Sequence, residues 1–206
     1  MILEQILVTS MAVFCYLIAD EKSKIAALID PAGDFDRIQS VIDKNALTLQ
    51  WVFNTHGHFD HTSGNSHFIE KDAKLLIHEE DSGKLGRIYN KLLSRVIGGK
   101  GSPSPVEYIK DGDVLRLGDI PLKVIHTPGH SAGSVCIYTN GHVFTGDTLF
   151  TEGMGRTDFG DGSYSEIMNS ITKKILTLPD DTIIWPGHHY GRSKRSTVAE
   201  QKNIYM

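Results

Sequence analysis

Four side chains able to bind a metal fall within six consecutive residues: His56, His58, Asp60 and His61, in the run Thr55-His56-Gly57-His58-Phe59-Asp60-His61. Imidazole nitrogen and carboxylate oxygen together suit zinc, iron or manganese better than calcium. A catalytic ion takes three or four protein ligands and keeps a position for water, whose pKa it lowers to about 7. Such a cluster therefore offers hydrolysis without a serine or cysteine nucleophile. Alternate side chains on an extended loop point opposite ways, so His56 and His58 could share one ion while Asp60 and His61 serve another. With ten histidines in the chain, one pair would be unremarkable. Four ligand types in one loop are not.

Three later segments share one layout. Thr127-Pro128-Gly129-His130-Ser131 follows the strand-like Leu122–His126, and Phe144-Thr145-Gly146-Asp147-Thr148 ends another such run. Trp185-Pro186-Gly187-His188-His189 ends a third. Each is a strand, then Gly and often Pro, then a ligand type. Any one alone would be an ordinary turn.

The elements that must position these residues are legible from composition. Runs rich in β-branched and aromatic residues appear at Ile2–Val8, Val13–Ile18, Ile25–Ile29, Leu49–Asn54, Lys74–Ile77, Val114–Leu117, Leu122–His126, Ser134–Thr139, His142–Thr145 and Thr182–Trp185. Asn140-Gly141 predicts a two-residue hairpin turn. Helical spacing covers Asp34–Ala46, Gly64–Lys71, Leu85–Ile97 and Tyr164–Leu176, with a short helix at the C-terminus. Gly98–Pro105 reads as a loop that could divide two halves. The expected architecture is α/β: a single domain over residues 1–206, built as a four-layer αββα sandwich of two mixed sheets flanked by helices. Strand order does not follow from this reading.

The T-H-G-H-F-D-H run resembles the H-x-H-x-D-H signature of the metallo-β-lactamase superfamily. Pro128-Gly129-His130, Gly146-Asp147 and Pro186-Gly187-His188 are similar to its three later motifs, in order, over nearly the whole chain. Within it, Phe144–Phe150 and Ser196–Glu200 look most like hydroxyacylglutathione hydrolases (glyoxalase II). Gly155-Arg156-Thr157-Asp158-Phe159 is shared by short glyoxalase II-like proteins and persulfide dioxygenases. The resemblance implies two divalent ions, zinc first, with iron or manganese as alternatives. It puts His56, His58 and His130 on one ion, Asp60, His61 and His188 on the other, and Asp147 between them. The implied reaction is attack of a metal-bound hydroxide, oriented by Asp60, on an acyl-thiol such as S-lactoylglutathione. Arg156 and Tyr190 are the implied substrate contacts. A persulfide dioxygenase is the alternative, with one iron on His56, His130 and Asp147. Full-length glyoxalase II enzymes continue into a C-terminal helical region, so the resemblance carries the metal chemistry further than glutathione recognition. Asp30, in Ile29-Asp30-Pro31, is read either as lying near the site or as capping the following helix. His67, His78, His126 and His142 match no motif and are read as structural.

Composition excludes other classes. The chain has 206 residues, 40% hydrophobic and 22% charged, with a net charge of −4 and no long block of one sign. No nucleic-acid surface is expected, and Arg192-Ser193-Lys194-Arg195 reads as a solvated turn. The apolar Met11–Ala19 is too short to span a bilayer and follows no basic segment, so a hairpin is expected rather than a signal peptide. Cys15 and Cys136 are expected to be buried free thiols of a cytoplasmic protein. The expected partner is a small-molecule acyl-thiol, bound by a monomer or homodimer that engages no membrane.

Overall fold

Strand β2 (Val13–Ala19) is buried at every residue. Because strand side chains alternate, such a strand must be covered on both faces. Phe14, Tyr16 and Ile18 enter one apolar cluster, whereas Val13, Cys15, Leu17 and Ala19 enter another. In this computed structural model, which describes residues 1–8, 11–69, 73–105, 107–158 and 160–206, the same division extends through the molecule and yields four layers.

The first sheet runs β1 (Ile2–Val8), β2, β3 (Ile25–Ile29), β4 (Thr48–Phe53), β5 (Lys74–His78), β6 (Glu107–Ile109) in spatial order. Its first two pairings are antiparallel and the remaining three parallel. The second sheet contains β7 (Val114–Leu117), β8 (Ile120–His126), β9 (Val135–Thr139), β10 (His142–Gly146), β11 (Ile183–Pro186) and β12 (Ser196–Thr197), in the spatial order β12-β11-β10-β9-β8-β7. Only its β10–β11 pair is parallel. Asn140 and Gly141 both take positive φ (45° and 78°) in the tight turn between β9 and β10, as the dipeptide predicts.

Between the sheets lie Phe14, Tyr16, Phe53, Leu76, Leu122, Ile137, Phe144 and Trp185. Burying each large apolar side chain stabilises by roughly 1.5–3 kcal/mol, so this aromatic layer is a stiff platform. The outer face of the first sheet is covered by α1 (Phe35–Lys44) and α3 (Asn65–Ile69), through Ile38, Ile42 and Phe68. The outer face of the second is covered by α6 (Tyr164–Ser170), its continuation Ile171–Ile175 as a π turn, and α7 (Val198–Tyr205). Cys15 and Cys136 are both free and buried, in clusters on opposite sides of the sandwich.

Several details differ from the sequence reading. Two helices, α4 (Glu79–Leu85) and α5 (Ile88–Val96), stand where one was expected over Leu85–Ile97: the second fills that span, starting three residues later, and the first was not read from the sequence. Gly86 ends the first, Arg87 is extended, and the Asn90 amide donates to the Lys84 carbonyl at 2.8 Å, taking a bond that a continuous helix would have made internally. The short β6 and β12 had too few residues to show a period. Since β6 joins the first sheet, the division between sheets falls after Ile109 rather than at Gly98–Pro105. The last two residues of the helix expected at Gly64–Lys71, and Phe159, lie outside the described residues. No helix among the described residues is long and apolar enough to cross a membrane.

Candidate metal centre

All the motif segments leave strands at their C-terminal ends, and two registers bring those ends together. In the parallel β10–β11 pair, Gly146 lies beside Pro186, which sets Asp147 next to His188. The amide of Val135, at the start of β9, donates to the carbonyl of Thr55 at 2.8 Å and so ties the loop after β4 to the second sheet. The one-turn helix α2 (Phe59–Thr62) carries Asp60 and His61.

Two sets of three side chains result, each with its ligand atoms within 4.8 Å of one another: His56, His58 and His130, and Asp60, His61 and His188. His58 Nδ1 lies 2.9 Å from His130 Nε2, and His61 Nε2 lies 3.0 Å from His188 Nε2. Asp147 sits between the sets. Its Oδ2 is 3.5 Å from both His130 Nε2 and His188 Nε2, and its Oδ1 is 3.3 Å from His61 Nε2. The structure thus brings together all seven residues singled out as metal ligands.

The opposite edges of the rings are held from behind. His61 Nδ1 faces Asp30 Oδ2 at 3.0 Å, His188 Nδ1 faces the Met11 carbonyl at 3.0 Å, and His130 Nδ1 faces the Arg156 carbonyl at 2.8 Å. The Thr55 hydroxyl donates to Asp30 at 2.6 Å, which leaves its oxygen to accept from His56 Nδ1 at 3.1 Å. These acceptors assign the proton to Nδ1 on each ring and turn the Nε2 lone pair inward. His56 Nε2 is buried with no hydrogen-bond partner among the described residues. Two inward lone pairs on His61 and His188 at 3.0 Å repel unless a cation or proton lies between them. This donor set fits divalent metal ions.

Charge divides the sets. Burial and the neighbouring imidazoles hold His56 well below its ordinary pKa, and burial together with His130 lowers His58 to about 4. His56 and His58 therefore offer neutral nitrogen at pH 7. Burial also pushes His61 down, but the carboxylates of Asp147, Asp30 and Asp60 outweigh it and raise its pKa well above the usual value. Burial opposes ionisation of Asp147, yet His61 and His188 hold its carboxyl well below the usual range. The second set is anion-rich and wants positive charge.

The centre opens on a cleft of about 1120 Å³. Met11, Phe59, Phe150 and Met154 give it apolar wall, while Arg156 and Tyr190 both reach it. Tyr190 stacks on His188 with ring centroids 4.4 Å apart, and burial with nearby Asp147 and Asp60 pushes its phenol up to about 12. The Arg156 guanidinium makes a two-point pair with Asp158 at 2.9 and 2.8 Å, exposed to solvent.

Asp30, near the site or a helix cap by sequence, has a geometry that removes the capping role: its φ is 50°, and α1 starts after Asp34. Asp30 instead accepts from the Thr55 amide and hydroxyl and faces His61. The backbone carbonyls of Met11 and Arg156 had no side-chain signal to reveal them. The histidines outside the motifs make structural contacts. His67 stacks on Phe35, His142 accepts from the Trp185 indole at 3.0 Å, and His126 Nε2 faces the Ala132 carbonyl at 2.7 Å. His78 caps α4, and together with Glu80 and His126 forms a further possible ligand group away from the cleft.

A sequence model described as the metallo-beta-lactamase superfamily matches residues 8–188. The Schizosaccharomyces pombe protein named probable hydroxyacylglutathione hydrolase glo2 is 32% identical over 187 residues, covering 87% of this chain. The chain spans 65% of that relative's length. The human mitochondrial persulfide dioxygenase ETHE1 is 34% identical over 197 residues, covering 93% of this chain and 69% of its own. Among solved structures, the BLEG-1 B3 metallo-beta-lactamase superposes with a TM-score of 0.86 at 28% identity, covering 98% of this chain and 97% of its own. TTHA1623 in a di-iron-bound form superposes with a TM-score of 0.83 at 26% identity, covering 97% and 96%. These likenesses are similar in degree and do not choose among the activities named.

Proposed function

The chain belongs to the metallo-beta-lactamase superfamily, and from that premise we propose that it is a two-metal hydrolase of acyl-thiols, with S-lactoylglutathione as the reference substrate. The observation that carries this reading is the completeness of the second ligand set. His61 and His188 point Nε2 at each other across 3.0 Å, Asp60 Oδ2 lies 3.6 Å from His188, and Asp30 and the Met11 carbonyl hold the two rings in place. That support orients the His61 and His188 rings as ligands, as a second ion would require.

Two divalent ions in these sets would polarise an acyl carbonyl and acidify a water to a pKa of about 7. Zinc is the first choice, and the same nitrogen and oxygen donors accept iron and manganese. The chain's own residues do the rest. His56, His58 and His130 would hold one ion and Asp60, His61 and His188 the other, with Asp147 within reach of both sets. The Asp60 carboxylate orients the attacking water and takes its proton. Tyr190, protonated at neutral pH, donates its O–H to the thiol-bearing part of the substrate. Arg156 at the mouth meets a carboxylate of the thiol carrier in exchange for Asp158. Met11, Phe59, Phe150 and Met154 keep bulk water from the carbonyl. The products are a carboxylic acid and a free thiol, and a thiolate leaves without a dedicated general acid.

A second reading has support in the likeness to persulfide dioxygenase: one iron on His56, His130 and Asp147, where His130 Nε2 and Asp147 Oδ2 lie 3.5 Å apart. Metal analysis of the purified protein separates the two, combined with assays of S-lactoylglutathione hydrolysis and of oxygen uptake with glutathione persulfide. About two metal equivalents with thioester cleavage are expected. His188→Ala should reduce them to about one and Asp147→Ala should weaken both, while Asp60→Asn should lower kcat by about 10²–10⁴-fold. One iron, oxygen uptake and no hydrolysis would overturn the proposal.

A further inference from the structure

We propose that Asp81 is a positioning residue of this centre, one that sets the spacing of His56, His58 and His130 by cross-tying the two loops that carry them. The inference rests on the metal-centre reading and holds for either activity, since both use His56 and His130.

Asp81 lies in α4 and is completely buried. Its Oδ2 accepts from the Gly57 amide at 2.6 Å and from the Ser131 hydroxyl at 2.8 Å. Its Oδ1 accepts from the Gly133 amide at 2.9 Å and from Lys84 Nζ at 2.6 Å. Gly57 stands between His56 and His58 on the loop that leaves β4 of the first sheet. Ser131 follows His130, and Gly133 completes the same loop between β8 and β9 of the second sheet. One carboxylate thus joins the ligand loops of both sheets, with four donors filling its acceptor positions.

The surrounding space is shaped for this contact. A Cβ on Gly57 would lie 2.7 Å from the Asp81 carbonyl and 2.8 Å from Lys84 Cβ. A Cβ on Gly133 would lie 2.8 Å from Asp81 Oδ1. Only residues without a side chain let both amides reach the carboxylate. Lys84 balances its charge and pairs at 2.8 Å with Asp161 on its other side. Asp30 acts on ring orientation, holding His61 directly and His56 through Thr55. Asp81 acts on the backbone, at the two loops whose separation the first set depends on. In the sequence it is hidden, because Glu79-Glu80-Asp81 reads as acidic residues in a first helical turn.

The test isolates each ligand set and reads cobalt(II) binding by its visible absorption. In a His188→Ala background, whose second set is incomplete, Asp81→Asn should weaken cobalt binding to the metal-stripped protein by about 10–100-fold. The amide turns a donor toward at least one of the four groups that now donate to Asp81. Ser131→Ala removes a single tie and should weaken binding about threefold or more in the same background. In a His58→Ala background, which reports the second set, both changes should leave affinity within about twofold. Equal weakening at both sets would overturn the proposal by making Asp81 a general support of the fold. So would unchanged first-set affinity in Ser131→Ala, which decides the matter if Asp81→Asn does not fold. If the unaltered chain binds no cobalt, the metal centre itself fails and this inference with it.

Discussion

His58 shows how one residue's surroundings become a property of the protein. Its ordinary pKa of 6.5 falls to about 4 through burial and the nearby His130. Between those values the unfolded chain binds more protons than the folded one, so stability must fall as pH drops. Across that window His58 alone removes about 3 kcal/mol from the metal-free protein. His56, also lowered, acts in the same direction. His61, raised above its ordinary value, acts with the opposite sign: its contribution is full below 6.5 and is lost as pH rises through its folded pKa. Urea denaturation of metal-free protein should therefore give a clearly lower midpoint at pH 5 than at pH 7, and equal midpoints would contradict the assigned burial. The seven candidate ligands were legible in the sequence because their types and local spacing are written in it. Asp30, Asp81 and the Met11 carbonyl were not, because their roles depend on what faces them across the fold.

At the scale of elements, the loop after β8 depends on one residue. Gly129 has a φ of 133°, its carbonyl accepts from the Ser163 amide at 2.7 Å, and an added Cβ would lie 2.2 Å from the Ile167 amide nitrogen. Gly129→Ala should cost about 2–4 kcal/mol, backbone strain and a clash with α6 together, and should weaken metal binding at the adjacent His130. Gly141→Ala makes a fitting control. Its φ is also positive at 78°, but open space surrounds the new methyl, so only the strain of about 1 kcal/mol is expected. Thermal melting of both variants checks this, and similar losses would show that the contact with α6 carries no weight. Period alone found the longer strands of both sheets but missed α4 and the break that separates it from α5. The break there comes from the Asn90 amide, which bridges the Lys84 carbonyl and the Gly57 carbonyl at 2.8 and 2.9 Å. That contact reaches across 33 residues of chain, beyond any local window.

Across the whole molecule the candidate ligands come from both sheets. His56, His58, Asp60 and His61 leave the first sheet, whereas His130, Asp147 and His188 leave the second. An ion bound in either proposed set, with Asp147 as a shared ligand, holds the sheets together at one edge and binds only the folded form. At a free metal concentration of 100 times Kd, each ion adds about 2.7 kcal/mol. For a domain of this size that corresponds to roughly 5–10 °C in Tm. Stripping the metal with a chelator should lower Tm by at least that amount, and adding it back should restore it. Identical melting curves would show that the two sheets do not share a metal.

The residues that could bind metal, the strands they follow and the four-layer arrangement were determined by the sequence itself, since period, residue type and burial on both faces of a strand are local quantities. The T-H-G-H-F-D-H loop needed only its own spacing to mark it. Strand order, the distances that bring His130, Asp147 and His188 to the T-H-G-H-F-D-H loop, and the supports behind the rings were decided by the tertiary structure, which realises the grouping that the family resemblance only implied. They depend on which strand ends lie side by side, and that is set by packing between residues more than a hundred positions apart, such as Tyr16 against Phe144 and Trp185.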